Sequence, residues 1–515
     1  MLKKILILGA FVSSGACAAL PPNHLQIPSY SFTDTQDTPL AKEMSRHHYG
    51  QTEGGTGVYF LRSGTDAFVA CAGLADRAAR SIDAQYYLFH RDVTGRILLQ
   101  RMLAAAERGV RVRLLVDDMD LADLDEDIAM VDSHPNFEVR IWNPFIREHN
   151  RTAQLLTHFG SVTRRMHNKS FTIDNQLSIV GGRNIGDEYF EADPEYVFGD
   201  LDVALIGKAA GQVSESFDSY WNHELAYPIS ALHKGAVDKA ARAQAERNLE
   251  AFVALQKGSD YARALKNSEL VEKILRQDVS FNWASAEVYA DDPDKILRER
   301  DRKEGNVFRR LLPHLVAAQK ELTIISPYFV PGKKGTKTLS DMAARGVRIR
   351  MLTNSYASTD VTIVHAAYSR YRKELLRNGV ELYEMDSHAQ VIKRQEPKKE
   401  LSPGQSKSSL HAKYLIIDRE KTFVGSLNFD PRSVVENTEI GVLIYDKDVS
   451  SELDDNFGKR IAEIAFKLTL SEQGDIVWHQ QKSGELSSFE TEPNTSFWDR
   501  FTLGFMRLLP GESQL

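Results

Sequence analysis

The stretch MHNKSFTIDNQLSIVGGRNIGDEY, residues Met166–Tyr189, decides how the rest of the chain is interpreted. The same pattern returns in LHAKYLIIDREKTFVGSLNFD, residues Leu410–Asp430. In both copies a lysine follows a histidine by two residues, an aspartate by seven, a glycine by fourteen and an asparagine by seventeen. Two copies with the same spacing indicate an internal duplication rather than chance.

Each copy has the pattern of a β-hairpin. The apolar runs Ser170–Ile173 and Tyr414–Ile417 are followed by turn residues that begin with Asp174 or Asp418, and a second apolar run comes next. Period-two alternation then places the histidine and the lysine on one face. Asp174 and Asp418 belong to the catalytic motif, but their position at the turn favours a structural role.

Two hairpins that face each other would supply two imidazoles, two ammonium groups and two amides around one small volume. Such a set suits an anionic phosphoryl group, since one histidine can attack phosphorus while the other protonates the leaving oxygen and the lysines hold the charge. The candidate residues of this chemistry are His167, Lys169, Asn184, His411, Lys413 and Asn428.

These residues are also the signature of a family. The chain resembles the phospholipase D superfamily, whose duplicated HxKxxxxD…G[GS]xN motif it matches twice, and the resemblance covers Gly54–Leu470. Within the superfamily the chain is most similar to bacterial cardiolipin synthases of the C type, in the two motifs, in Leu352–Glu384 and in Gly425–Gly441. The resemblance implies phosphatidyl transfer through a phosphohistidine, with no metal and no other cofactor.

By that resemblance His167 would be the nucleophile and His411 the general acid, although the sequence itself is symmetric and allows the reverse order. The motif lysines and asparagines would bind the non-bridging oxygens in place of a metal. A carboxylate on the second ring nitrogen would hold each histidine in one tautomer. Glu439 occupies the family's position for this carboxylate, and an alignment with a seven-residue insertion assigns the first-half equivalent to Asp202.

Three enzymatic activities fit the motifs. The first is a phosphatidyl transfer that makes cardiolipin from phosphatidylglycerol, with phosphatidylethanolamine or phosphatidylglycerol as the donor. The second is hydrolysis of a phospholipid to phosphatidic acid, and the third is a nuclease. The net charge of −7 argues against nucleic acid as a partner, and the resemblance favours the transferase. A non-catalytic scaffold would be expected to lack a histidine or lysine in one repeat, and both repeats are complete.

Arginine side chains near the second motif are candidates for binding the phosphate of the acceptor lipid. Arg432 and Arg370 carry guanidinium groups, which suit that anion, and His365 lies in the same family-like stretch. Ordinary salt bridges explain the arginines equally well.

Helix and strand patterns alternate around both motifs. The sequence ERGVRVR at Glu107–Arg113 is echoed by ARGVRIR at Ala344–Arg350, so the duplication extends beyond the hairpins. We therefore expect an α/β protein with two phospholipase D-like sandwich domains, related by a pseudo-twofold axis, and an active site at their interface. The predicted segments are a first domain over 54–232, a helical connector over 233–300 and a second domain over 301–470. With the duplication inside one chain, a monomer would be complete, and the oligomeric state stays open.

The N-terminus has the pattern of an export signal over residues 1–17. Lys3 and Lys4 precede the apolar run Ile5–Val12, which is too short to span a bilayer. Cys17 is then either the acylated first residue of a lipoprotein or part of an ordinary secretion site, and an uncleaved N-terminal anchor is the third alternative. The Pro- and Ser-rich segment 18–53 looks like a flexible tether, which favours the lipoprotein.

The C-terminal segment 471–515 contains SFWDRFTLGFMRLLP at Ser496–Pro510. This composition fits a membrane interface, and it fits equally a helix docked on the protein's own surface. The expected partners are phospholipids and a membrane surface. The expected location is the cell envelope, with the choice between inner and outer membrane open.

Overall fold

The computed structural model describes residues 20–46, 55–157, 160, 162–193, 195–233, 235, 237–276, 278–299, 305–389, 407–482 and 484–507. The strands are β1 Thr56–Leu61, β2 Ser81–Tyr86, β3 Arg111–Asp117, β4 Phe137–Trp142, β5 Ser170–Ile173, β6 Leu177–Gly181, β7 Tyr196–Gly199, β8 Asp202–Gly207, β9 Ala226–Pro228, β10 Asn282–Ala290, β11 Glu321–Ile325, β12 Arg348–Asn354, β13 Glu381–Met385, β14 Lys407–Leu410, β15 Tyr414–Ile417, β16 Lys421–Gly425, β17 Ile440–Tyr445, β18 Ala465–Leu470, β19 Ile476–Lys482 and β20 Glu485–Phe489.

The α-helices are α1 Pro39–Arg46, α2 Gly64–Arg77, α3 Val93–Glu107, α4 Asp125–Asp132, α5 Arg151–Thr157, α6 Lys208–Trp221, α7 Ile229–Leu232, α8 Lys239–Gln256, α9 Asp260–Lys266, α10 Glu269–Leu275, α11 Val307–Val316, α12 Gly332–Ala344, α13 Thr362–Ser369, α14 Arg372–Arg377, α15 Pro431–Val435, α16 Lys447–Ile464 and α17 Phe497–Met506. Short 3₁₀ turns lie at Asp118–Asp120 and Pro293–Ile296.

The two halves of the chain repeat one sheet topology. The first half has the strand order β9-β4-β3-β2-β5-β6-β8-β1, and the second has β18-β13-β12-β11-β15-β16-β17-β10. In each half the β2-β3-β4 or β11-β12-β13 trio is parallel, and its other neighbours are antiparallel. The prediction of two α/β sandwich domains related by a pseudo-twofold axis is therefore confirmed.

The repeated Arg-Gly-Val-Arg segment ends an equivalent helix in each half. Gly109 and Gly346 follow α3 and α12 with φ of +90° and +92°, a left-handed conformation that costs glycine little. The next residue, Val110 or Val347, donates back to the last helical turn, which completes a Schellman cap. The cap turns the chain directly into β3 or β12.

Strand β10 joins the two half-sheets into one. It pairs with β17 over Ser285–Ala290 and with the edge strand β1 over Asn282–Ala284. The predicted connector over 233–300 was expected to be helical, and α8, α9 and α10 do occupy its first part. The prediction is wrong over Asn282–Ala290. Its many small residues have weak strand preference, and pairing with two neighbouring strands decides the conformation.

The facing sides of the two half-sheets share a hydrophobic core. One buried cluster contains Val180 and Val203 of the first half together with Val424 and Val442 of the second. Strand β6 lies against β16 and β17 in this core. The hairpins β5–β6 and β15–β16, which carry the two motifs, are therefore held against one another.

The segment before the first domain is packed on that domain. Gln26 donates to backbone oxygens of Trp221 and His223, the Ser29 oxygen accepts from Arg113, and Thr35 and Leu40 are buried. The prediction of a flexible tether is wrong over residues 20–46. Its Pro- and Ser-rich composition resembles a linker, but its backbone polar groups have partners on the first domain.

The C-terminal segment extends the second half. Strands β19 and β20 continue the sheet beyond β18, and α17 packs against α13. Within the described ranges, no helix has the length and apolar character needed to cross a bilayer. The predicted signal over residues 1–17, with Cys17, lies outside the described residues.

Candidate active site

The two motif hairpins place equivalent side chains in one buried site. His167 lies just before β5, and His411 lies just before β15. Both residues are buried, with 7% of His167 and 4% of His411 exposed. Lys169 donates from Nζ to the His167 backbone oxygen at 2.7 Å, and Lys413 bonds the His411 oxygen in the same way. Each lysine is thereby held beside its own histidine.

Each motif histidine is paired with a carboxylate from the other half of the chain. His167 Nδ1 lies 2.9 Å from Glu439 Oε2, and His411 Nδ1 lies 2.6 Å from Asp200 Oδ2. A carboxylate accepts the Nδ1 proton, so each ring has its unprotonated Nε2 on the opposite side. The pairing fixes both tautomers across the domain interface.

Short parallel pairings of backbone bring these groups together. Met166, ahead of His167, is bridged to Thr438, and the His167 backbone N–H donates to the Thr438 oxygen. In the pseudo-twofold copy, β14 pairs with β7 so that Leu410 lies opposite Gly199. The residue after each of these partners is the carboxylate.

The first-half carboxylate is Asp200, not Asp202 as the sequence alignment predicted. Asp202 pairs with the buried Arg183 at 3.0 Å instead. The strand registers explain the error, because Asp202 lies opposite Gly181, just as Gly441 lies opposite Gly425. Asp202 is therefore equivalent to Gly441. The residue equivalent to Glu439 is thus two positions before Asp202, at Asp200. A shift of two residues leaves the alternation of a strand unchanged, so the sequence pattern does not reveal it.

The residue after the first motif glycine is Gly182 in the first half and Ser426 in the second. Each of these residues contacts the carboxylate that its own half supplies, Asp200 or Glu439. A Cβ on Gly182 would lie 2.3 Å from Asp200 Oδ1, so only glycine leaves room for that carboxylate. Ser426 holds the equivalent position in the second half, and its hydroxyl donates to Glu439. The longer Glu side chain reaches past the serine and is anchored by it.

Aromatic rings contact both motif histidines. Tyr87 meets His167 edge-on with ring centroids 5.3 Å apart, and Tyr189 meets His411 in the same way at 5.1 Å. Phe198 also contacts His411. None of these rings was predicted from the sequence. Their contacts leave each imidazole little rotational freedom.

The motif asparagines have different surroundings. Asn184 donates to the Tyr189 hydroxyl at 2.9 Å and accepts from the Leu88 backbone N–H. Asn428 is buried, and its Oδ1 has no hydrogen-bond partner in the part of the chain that the structure describes. The Asn184 amide therefore braces the site, whereas the Asn428 Oδ1 has no such contact in the described residues.

In the absence of a ligand, burial and the motif cations favour the neutral form of both imidazoles. Desolvation, with Lys169, Lys413 and Arg432, holds the pKa of His167 well below its ordinary 6.5. Desolvation and Lys413 lower the pKa of His411 to about 4. Since the lysine of each half acts on the histidine of the other, the two motifs form one electrostatic site.

The buried lysines and carboxylates also have displaced pKa values. Burial lowers the pKa of Lys413 to about 8 and raises that of Glu439 to about 7. Burial raises the pKa of Asp200, but the interactions with His411 and Lys413 lower it by more. The pKa of Asp200 is therefore lowered to about 2. An anionic ligand would offset the positive charge of the two lysines.

The motif aspartates stabilise the loop between helix and strand. Asp174 is buried and accepts from the backbone N–H groups of Ala79, Arg80 and Ser81. Asp418 does the same at Gln319, Lys320 and Glu321. The hydrogen bonds that these two carboxylates accept come from backbone N–H groups. Such bonds support the structural role that the turn position of Asp174 and Asp418 favours.

The three candidate substrate residues lie in different places. Arg432 donates to the Thr163 oxygen at 2.6 Å and acts electrostatically on His167, so it borders the site. Arg370 is exposed at the end of α13. His365 is buried with both ring nitrogens engaged, by the Asn354 oxygen and by Glu492, which removes it as a free ligand for phosphate.

One group of side chains in the described residues has the spacing of metal ligands, namely His90, Asp92 and Glu188. The His90 ring also lies 3.2 Å from Asp120. Hydrogen bonds to Asp120 and Glu188 raise the pKa of His90 to about 10. We assign the group to ion pairing of a protonated histidine.

Comparison with known proteins identifies the family. A family model described as cardiolipin synthase, PLD-like domain, matches residues 73–221 and 311–461. Cardiolipin synthase C of Escherichia coli (strain K12) is 37% identical over 473 residues, 90% of this chain and 97% of that protein. Cardiolipin synthase B of Shigella flexneri is 25% identical over 408 residues, 79% of this chain and 81% of that protein.

A solved structure shares the fold. The phosphatidylserine synthase of Haemophilus influenzae Rd KW20 superposes with a TM-score of 0.54 at 13% identity, covering 88% of this chain and 92% of that one. The repeated motif, the repeated sheet and these relatives agree: the chain belongs to the cardiolipin synthase family of phospholipase D-like proteins.

Proposed function

We propose that this protein is a phosphatidyltransferase that makes cardiolipin from phosphatidylglycerol, with phosphatidylglycerol or phosphatidylethanolamine as the donor. The observation that carries the proposal is the pair of buried imidazoles, each oriented by a carboxylate from the other half and flanked by a lysine. Similarity to cardiolipin synthase C supports cardiolipin as the product.

In the first step His167 is the nucleophile. Its Nε2 lone pair attacks the donor phosphorus, an N–P bond forms, and the P–O bond to the donor's head-group alcohol breaks. His411, protonated once the anionic diester is bound, gives its proton to the departing oxygen. Three cations favour the neutral form of His167, namely Lys169, Lys413 and Arg432, which supports its assignment as the nucleophile.

In the second step a phosphatidylglycerol hydroxyl replaces the departed alcohol. His411, now neutral, takes the hydroxyl proton, the oxygen attacks phosphorus, and the N–P bond breaks to release the product and neutral His167. Lys169 and Lys413 stabilise the negative charge on the non-bridging oxygens in both steps. Arg432 borders the site and is proposed to bind the acceptor's phosphate.

Transfer competes with hydrolysis at the phosphohistidine. The low exposure of both imidazoles restricts water, which supports transfer to a second lipid. Hydrolysis to phosphatidic acid is the alternative, and the two activities differ only in the acceptor.

The test uses purified protein with phosphatidylglycerol, with and without phosphatidylethanolamine, in the presence of a chelator. We expect cardiolipin to form, and His167→Ala and His411→Ala to lower its rate by about a hundredfold to ten-thousandfold or more. Phosphatidic acid as the sole lipid product would refute the transferase and establish the hydrolase. A phosphoryl group trapped on His411 in the wild type would reverse the two histidine roles.

For the cellular location we propose the cell envelope, with a lipid on Cys17 that attaches the protein to a membrane. The proposal rests on the sequence of residues 1–17. A fatty-acid probe should label the wild type and should not label Cys17→Ser, and an unlabelled wild type would refute the anchor.

A further inference from the structure

Helix α17 has two chemically different sides. At about 100° per residue, Phe497, Trp498, Phe501 and Phe505 fall within one arc of about 100°, and the helix's charged residues lie outside it. The four aromatic side chains are 66%, 70%, 61% and 59% exposed. The opposite side buries Leu503, which is 3% exposed.

The orientation of this helix is fixed by specific contacts. Ser496 and Asp499 form a capping box at its N-terminus, and the helix packs against α13. Just beyond its end, Arg507 donates to the Ser369 hydroxyl at 2.7 Å. The aromatic side therefore faces outward because the other side is anchored, not because the helix is detached.

Helix α13 connects α17 to the rim of the active site. Asp360, just before α13, accepts from the Tyr328 hydroxyl and acts electrostatically on Lys413, where it opposes the lowering of the pKa by burial. Further along α13, His365 is held by Glu492, from the segment before α17, and by the Asn354 oxygen. The Asn354 side chain bonds both backbone groups of Leu410, the neighbour of His411.

We propose that the aromatic side of α17 inserts into the interface of a phospholipid bilayer and holds the active-site rim against the lipid surface. The inference rests on the proposed function, because a lipid substrate makes a bilayer the surface on which the site has to work. Aromatic rings, and tryptophan in particular, suit the boundary between head groups and acyl chains.

The composition of the arc favours a bilayer over a second copy of the chain. The exposed rings project from one short helix rather than from a broad concave surface, and an indole beside three phenyl rings is the typical make-up of an interfacial anchor. The apolar residues Leu508 and Leu509 follow in the sequence after Arg507.

The first test is a fluorescence measurement on the folded wild type. The chain has five tryptophans; Trp142, Trp221 and Trp478 are buried and Trp283 is half-buried. Protein is mixed with vesicles of phosphatidylglycerol and phosphatidylethanolamine that carry brominated acyl chains. We expect quenching in the wild type and little in Trp498→Phe. Equal quenching in both proteins would overturn the proposal.

The second test measures partition onto the same vesicles in a Cys17→Ser background, so that an N-terminal lipid does not contribute. Phe501→Ser with Phe505→Ser should weaken partition about tenfold or more, since about 25 cal/mol is lost for each Å² of apolar surface no longer buried. The matched control is Leu255→Ser, which removes a 79% exposed side chain from α8 and should leave partition unchanged.

Unchanged partition of the double variant would overturn the proposal. So would a wild-type dimer that the double variant converts to monomer without any vesicle binding, because the aromatic side would then pair with a second copy. Turnover of detergent-dispersed phosphatidylglycerol tests the proposed function separately. The double variant should retain it. In the wild type, turnover without vesicle binding would refute the anchor alone, and vesicle binding without turnover would refute the proposed function alone.

Discussion

Asp200 and Asp202 are two residues apart and have different partners. Asp200 accepts a hydrogen bond from the motif His411 across the domain interface, whereas Asp202 neutralises the buried guanidinium of Arg183 within its own half. Both carboxylates are buried. Their position in the sequence does not separate these roles, but their geometry does.

This difference predicts opposite effects of two isosteric substitutions. Asp200→Asn should lower kcat by roughly 10²–10⁴-fold, because an amide does not stabilise the required His411 tautomer. Asp202→Asn should instead lower the free energy of unfolding by about 1–3 kcal/mol, since it weakens the buried pair with Arg183. Turnover of phosphatidylglycerol and chemical denaturation measure the two effects. A normal kcat in Asp200→Asn would contradict the assignment.

At the scale of the element, each motif hairpin joins two functions. One end carries the histidine and lysine, and the other end carries an aspartate with φ near +53° that leads the turn. Asp and Asn adopt this conformation more readily than most residues, and the turns close by a bond from Gln176 to Ile173 or from Glu420 to Ile417. The aspartate then clamps the neighbouring loop.

The clamp predicts a loss of stability without a loss of catalysis. Asp174→Asn should lower the free energy of unfolding by about 2–4 kcal/mol, because an amide group replaces a buried carboxylate that accepts from three backbone donors, while folded enzyme keeps its kcat. Asp418→Asn should cost less, since Asp418 is partly exposed. Denaturant titration with turnover assays measures both, and a large fall in kcat in fully folded Asp174→Asn would refute the structural role.

The pH dependence of the Asp418 contribution has a definite sign. Burial opposes ionisation, but the backbone N–H groups of Gln319, Lys320 and Glu321 lower the pKa of Asp418 overall. A lowered pKa in the folded state stabilises the protein above the ordinary pKa of about 3.9. The advantage of the wild type over Asp418→Asn should therefore be present at neutral pH and disappear as the pH falls below that value.

At the scale of the whole molecule, the site depends on contacts between the two halves, because each half supplies the carboxylate that orients the motif histidine of the other. His167 depends on Glu439 from the second half, and His411 depends on Asp200 from the first. The β1–β10 pairing and the shared valine core hold the halves in the register that this exchange needs. Neither half alone contains both members of a motif histidine–carboxylate pair.

Local spacing was enough to predict several parts of the protein. The two hairpins and the positions of the motif histidines and lysines follow from patterns within about twenty residues, and the duplicated α/β plan follows from the repetition of those patterns in the second half. Such patterns are readable because strand alternation and turn chemistry act between close neighbours.

The contacts between distant segments are apparent only in the folded chain. In the folded chain Asp200, not Asp202, pairs with His411, and residues 20–46 pack on the first domain. Residues Asn282–Ala290 form strand β10, and the aromatic side of α17 is exposed. A shift of two residues preserves every alternation in a strand, so the sequence pattern is the same for both carboxylates. The difference appears only in the register of β6 against β8 and in the pairing of β7 with β14, where the two halves of the chain meet.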